Sequence, residues 1–84
     1  MTFDNRTALV TGGGSGIGEA VAHELARLGA KVVVTDISEK GAERVARAIR
    51  DAGGEAAPFV ADSASPGDNE KAVAFAVETF GKLN

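Results

Sequence analysis

Thr11-Gly12-Gly13-Gly14-Ser15-Gly16-Ile17-Gly18 is the stretch on which the reading of this chain turns. It stands between a short apolar run, Thr7-Ala8-Leu9-Val10, and a segment whose apolar residues Ile17, Val21, Leu25 and Leu28 recur at helical spacing. A chain that leaves a strand and enters a helix within so few residues must bend sharply. Glycine permits a positive φ there and removes the Cβ that would hold another group away from the backbone. The helix start then presents unpaired N–H groups and the positive end of its dipole, which together suit a phosphate. Ser15 adds a hydroxyl to the same place.

Working outward from the bend, the first helix should stop at Gly29, a C′ glycine. The β-branched run Lys31-Val32-Val33-Val34-Thr35 reads as a strand buried on both faces. Ser38 is placed to cap a second helix carrying Ala42, Val45, Ile49 and Ala52 on one face and ending at Gly53-Gly54. Ala56-Ala57-Pro58-Phe59-Val60-Ala61 reads as a third strand, with Pro58 marking a strand start or an edge. Ser65-Pro66 opens a third helix with the stripe Val73, Ala76, Val77 and Phe80 and a stop at Gly81. Phe75 falls off that stripe, so the helix expects burial on two sides, and nothing within the 84 residues is left to cover Phe75.

Strand, helix, strand, helix, strand, helix predicts an α/β domain over residues 1–84, with a parallel sheet joined by right-handed crossovers. Winding in one direction gives the spatial order 3-2-1, with the first two helices on one face and the third crossing to the other. The pattern is half of a doubly wound domain that stops where a fourth strand should begin. Small residues dominate, with Ala at 16 positions and Val at nine, which lets helices lie close to a sheet.

Composition narrows the function. Nine Lys+Arg against 12 Asp+Glu give a net charge of −3, no footprint for nucleic acid or an anionic membrane. No apolar run approaches the ~20 residues of a membrane span, and the start lacks the layout of a signal peptide. The expectation is a soluble, cytoplasmic protein. With no Cys there is no disulfide, thiolate nucleophile or Cys-held zinc, and no metal site is predicted. His23, the single imidazole, lacks a nucleophile or second metal ligand at useful spacing and reads as an ordinary surface or boundary residue. Lys40, Arg44, Arg47 and Arg50, interleaved with Glu39, Glu43 and Asp51, read as a solvated helix face. Glu19 would oppose a phosphate at the helix start, so it is expected to point outward.

Asp36 ends the second strand, 18 residues after Gly18, near the ~20 expected of a carboxylate that grips an adenosine ribose. It would repel a 2′-phosphate, and neither Ser15 nor Ile37 brings a compensating cation, so NAD is favoured over NADP. A Walker loop is excluded because no Lys-Ser/Thr pair follows the glycines. A fragment of an S-adenosylmethionine-dependent methyltransferase, which also pairs a glycine-rich turn with an acid after its second strand, stays open on these residues alone.

Thr11–Gly18 resembles the TGxxxGIG cofactor motif of the short-chain dehydrogenase/reductase family. Leu9-Val10, Gly29-Ala30-Lys31-Val32, Asp36, Asp62 and Phe80-Gly81-Lys82-Leu83 are similar to its pattern as well, so the likeness runs through nearly the whole chain. The resemblance implies an NAD(P)-binding Rossmann fold, here as an incomplete three-stranded sheet with three helices, and a cofactor site of Gly12, Gly14, Ser15, Gly16, Ile17, Gly18, Asp36, Ile37, Asp62 and Ser63. Asp62 would meet the adenine amino group and the Ser63 N–H would assist, although Val is commoner than Ser at that place. It also implies hydride transfer between NAD and an alcohol/ketone pair, as in a 3-oxoacyl reductase, and a homo-oligomer. The family's catalytic Ser and Tyr-x-x-x-Lys would lie beyond residue 84. The chain has no Tyr, so no catalytic residue is assigned and the 84 residues alone are expected to be inactive. The alternative is a stand-alone, non-catalytic nucleotide-binding or self-associating module, with the open edge of its first strand pairing with another copy.

Overall fold

Each turn signal in the sequence becomes an element boundary in the computed structural model, which describes residues 4–81. The elements run β1 (Thr7–Val10), α1 (Gly16–Arg27), β2 (Lys31–Asp36), α2 (Glu39–Asp51), β3 (Glu55–Val60) and α3 (Pro66–Phe80). The hydroxyl oxygens of Ser38 and Ser65 accept from the N–H of Gly41 and Asp68 and so cap α2 and α3. α1 ends in a Schellman turn, with Ala30 N–H donating to Leu25 and Gly29 N–H to Ala26. Lys82 and Leu83, read as the approach to a fourth strand, lie outside the described residues.

All three strands are parallel and β2 is central, so the predicted spatial order 3-2-1 holds. Thr7 faces Lys31 and Lys31 faces Glu55, so the strands start level with one another. Pro58 stands in the middle of β3, opposite Val34, rather than at its start. It is tolerated because β3 is an edge strand, where a missing N–H costs no ladder bond.

One pleat of the sheet meets α1 and α2. Val10, Val32, Val34 and Ala56 pack there against Ala22, Ala42, Val45, Ala46 and Ile49. Val33 is fully buried but lies outside that cluster, on the opposite pleat, where α3 touches the strands. Thr35, buried two residues further along β2, donates its hydroxyl to the Val10 carbonyl at 3.1 Å and so satisfies its polar atom.

The helix stripes need correction. α1 buries Ala22 and packs Leu25 and Ala26 on the core, while Ile17 and Val21 are exposed. α2 buries Ala42, Val45, Ala46 and Ile49, but Ala52 is the exposed cap residue. α3 buries Ala72 and Ala76 and leaves Val73 and Val77 partly exposed, at 39% and 46%. Phe75 is not uncovered: its ring lies 4.8 Å from that of Phe59, tilted by 31°, and it is half-buried. In both α1 and α3 the sheet selects alanines, because a small side chain lets the helix backbone approach the strands. The larger apolar residues are displaced to the flanks.

Candidate functional site

β1, β2 and β3 end at Val10, Asp36 and Val60, so the loops that follow them emerge along one edge of the sheet. That edge is where parallel α/β sheets bind their ligands. The predicted residues are thereby brought together at three neighbouring strand-to-helix junctions: 11–18, 36–37 and 62–63.

The first loop is built by hydrogen bonds that continue the sheet. Gly13 N–H donates to the Thr35 carbonyl at 2.9 Å, carrying the β1–β2 ladder one step past β1. Gly12 (φ 63) and Gly16 (φ 59) then adopt the left-handed conformation that disfavours any side chain, and a Cβ at either would meet nothing within 4 Å. Ser15 is extended at the N-cap of α1, and its hydroxyl makes no capping bond. The helix's first backbone bond is Glu19 N–H to the Ser15 carbonyl, so the N–H groups of Gly16, Ile17 and Gly18 have no partner within α1. Open space, a free hydroxyl and three unused donors therefore converge at one helix start. Ile17 beside them is 85% exposed.

At Gly14 and Gly18 the missing side chain serves packing. A Cβ on Gly18 would stand 2.0 Å from the Gly12 carbonyl oxygen. One on Gly14 would stand 2.9 Å from Asp36 Oδ2 and 2.9 Å from the Gly41 backbone. Gly14 is buried and its N–H donates to Asp36 Oδ2 at 2.9 Å, so this predicted binding residue is engaged within the protein.

Asp36 is held twice, since its Oδ1 also accepts from Ser38 N–H at 2.9 Å. An ionised carboxylate offers about four lone-pair sites, which leaves room for further donors. Ile37 follows, 71% exposed. In the third loop Asp62 is exposed. Its Oδ1 accepts from Ala64 N–H, and its own N–H donates to Asp68 Oδ2, both at 2.9 Å. The Ser63 carbonyl accepts from Asn69 Nδ2 at 3.0 Å. These bonds shape a turn at the start of α3 and leave both residues at the edge.

Sequence reading missed two members of the site. Arg44 is not part of a uniformly solvated stripe: its guanidinium donates to Glu19 Oε2 (3.0 Å), Glu19 Oε1 (2.9 Å) and the Gly14 carbonyl (2.9 Å). Arg50 likewise leaves the stripe to donate to the Ala56 carbonyl. Glu19 therefore points sideways to α2 rather than outward, with His23 Nε2 3.7 Å away. The Arg44 guanidinium holds the Glu19 carboxyl below the usual range, and Glu19 in turn raises Arg44. Gly41, inside α2, was passed over as well; a Cβ there would meet the Gly14 carbonyl at 3.0 Å. No short-range signal joins residues 25 to 30 positions apart, which is why periodicity could not reveal these contacts.

A hollow of about 590 Å³ lies at the opposite end of the sheet among Asn5, Arg27, Gly29, Lys31, Gly53 and Glu55. Helix C-termini converge there, and their dipoles disfavour an anion. Among the described residues no group of three or more His, Asp or Glu could hold a metal ion, and no helix is long and apolar enough to cross a membrane.

Comparison with known proteins agrees with this geometry. The short chain dehydrogenase family profile matches residues 6–84. Over 82 residues the chain is 49% identical to cyclohexanol dehydrogenase of Acinetobacter sp. (strain SE19), covering 98% of this chain and 33% of that one. A hydroxysteroid dehydrogenase from Escherichia coli superposes with a TM-score of 0.95 at 35% identity, covering 98% of this chain and 34% of the other. A short chain dehydrogenase/reductase from Burkholderia phymatum, solved in complex with NAD, superposes with a TM-score of 0.94 at 34% identity, over 100% and 30%. The chain thus spans about a third of the length of the relatives it matches. The methyltransferase alternative has no support in these matches. A glycine bend of this form, an acid closing the second strand and a profile match from Arg6 onward lead to one assignment: the chain belongs to the short-chain dehydrogenase family.

Proposed function

We propose that these residues form the adenosine and diphosphate seat of an NAD-dependent oxidoreductase acting on an alcohol/ketone pair. The observation that carries the reading is the pairing of two left-handed glycines, with open space where their side chains would be, and a carboxylate at the end of the adjacent strand. The N–H groups at the start of α1 and the Ser15 hydroxyl would hold the diphosphate. Asp36 would accept from the ribose hydroxyls, Ile37 would flank the adenine, and Asp62 with the Ser63 N–H would meet its amino group. When bound, NAD would supply the acceptor for a hydride. This chain's own contribution is to bind and orient it. Having no Tyr, the 84 residues do not contain the family's proton donor and are inactive by themselves. A cytoplasmic homo-oligomer completes the reading, since dehydrogenases of this family often assemble from like subunits.

Calorimetric titration with NAD and NADP tests the cofactor. NAD is expected to bind at least about tenfold tighter, because Asp36 faces the 2′-phosphate with like charge. Asp36→Asn combined with Ile37→Arg keeps an acceptor for the Gly14 N–H while reversing the local charge, and should invert the preference. Equal affinities in the unaltered protein would refute the role given to Asp36.

A further inference from the structure

We propose that Arg44 is a positioning residue of the cofactor site, neutralising the carboxylate in the first turn of α1 and locking the glycine loop in the form that receives a diphosphate. The inference rests on the reading of that loop as a diphosphate seat. Glu19 is the acidic residue of that first turn. Its charge favours the helix dipole, but left alone it would repel an anion arriving at the N–H groups one turn away. Arg44 removes this conflict by reaching across from α2 with two bonds, to Oε1 at 2.9 Å and Oε2 at 3.0 Å.

The same guanidinium also sets the loop. Its Nη2 donates to the Gly14 carbonyl at 2.9 Å, while the Gly14 N–H donates to Asp36 Oδ2 at 2.9 Å. Gly14 is thus gripped through both its donor and its acceptor by α2 and the end of β2. A carbonyl that points at Arg44 does not point at an incoming phosphate, which it would repel. Lysine could supply the charge but not the fork that reaches a carboxylate and a carbonyl together.

The test is titration of the purified protein with ADP and with adenosine, at low and at raised salt, for Arg44→Gln, Arg44→Lys, Glu19→Gln and the double variant Glu19→Gln/Arg44→Gln. R44Q is expected to weaken ADP binding about tenfold at low salt, with adenosine unchanged and the deficit shrinking as salt is added. R44K should lie between, and the double variant should recover most of the loss, since no uncompensated carboxylate remains. Equal weakening of ADP and adenosine by R44Q, no weakening of either, or a double variant as weak as R44Q would each overturn the proposal. Should R44Q fail to fold, E19Q carries the test: Arg44 is then an unpaired cation, so ADP should bind more tightly and adenosine should not, and an indifferent E19Q overturns the proposal. Failure of the unaltered protein to bind ADP would sink the diphosphate seat itself. Normal ADP binding with indifferent variants would sink only the role of Arg44.

Discussion

Two sets of glycines share one loop and are glycines for opposite reasons. Gly13, Gly14 and Gly18 are hemmed in: an added Cβ would press on Val34, on Asp36 and the α2 backbone, or on the Gly12 carbonyl. Gly12 and Gly16 look onto empty space and are constrained only by positive φ. The crowded set lets the strand, the loop and two helices come close together. The open set faces the side from which a ligand would arrive. A row of glycines therefore combines a packing device with an open surface, and only the surroundings of each Cα tell them apart.

The largest effect should come from the crowded set. Gly18→Ala drives a methyl into a backbone oxygen 2.0 Å away, so α1 or the loop must move. We expect a loss of about 3 kcal/mol or more in denaturant unfolding, enough to unfold much of a small domain. An unchanged midpoint would erase the distinction between crowded and open glycines. Next comes a direct contrast. Gly14→Ala, which displaces the Asp36 carboxylate or α2, should lower stability by about 1–3 kcal/mol. Gly16→Ala meets no atom and should cost only about 1 kcal/mol from its left-handed φ, yet weaken NAD binding more than its stability loss suggests. Matching stability and binding losses in the two variants would break the comparison.

The smallest effect is electrostatic. Arg44, together with His23 Nε2 at 3.7 Å, holds the Glu19 carboxyl below its ordinary value of 4.5. A depressed folded value means the stabilisation is complete above 4.5 and fades as the pH falls through the folded value. Glu24, lowered by Arg27, contributes in the same window. Thermal melts from pH 7 to pH 3 should therefore show a steeper acid loss in the unaltered protein than in Glu19→Gln. Parallel curves would mean that the Glu19–Arg44 contact contributes nothing to the fold.

The two helices on either side of the sheet show how far the sequence could be read. Ser38, Ser65, Pro66, Gly29 and Gly81 placed helix ends correctly, because capping and positive φ act over a few residues. The faces of α1 and α3 were misjudged, because both helices are apolar over more than one side. Ile17, Val21, Val73 and Val77 obey helical spacing as well as Ala22, Ala72 and Ala76 do, and spacing cannot say which side the sheet takes. Phe75 is the sharpest case, since its neighbour Phe59 lies 16 positions away on another element.

The order of elements, their boundaries, the parallel sheet with its sequence of strands and the position of the glycine bend were all determined by the sequence alone. Each follows from φ preferences, caps and crossover handedness, which are local or apply to every chain. Only the tertiary structure decided which glycines are crowded and which are open, that Arg44 rather than solvent answers Glu19, and that alanines rather than valines meet the sheet. Those outcomes depend on how closely α1, α2 and the strands approach one another, a distance set by many side chains at once and written in no short stretch of sequence.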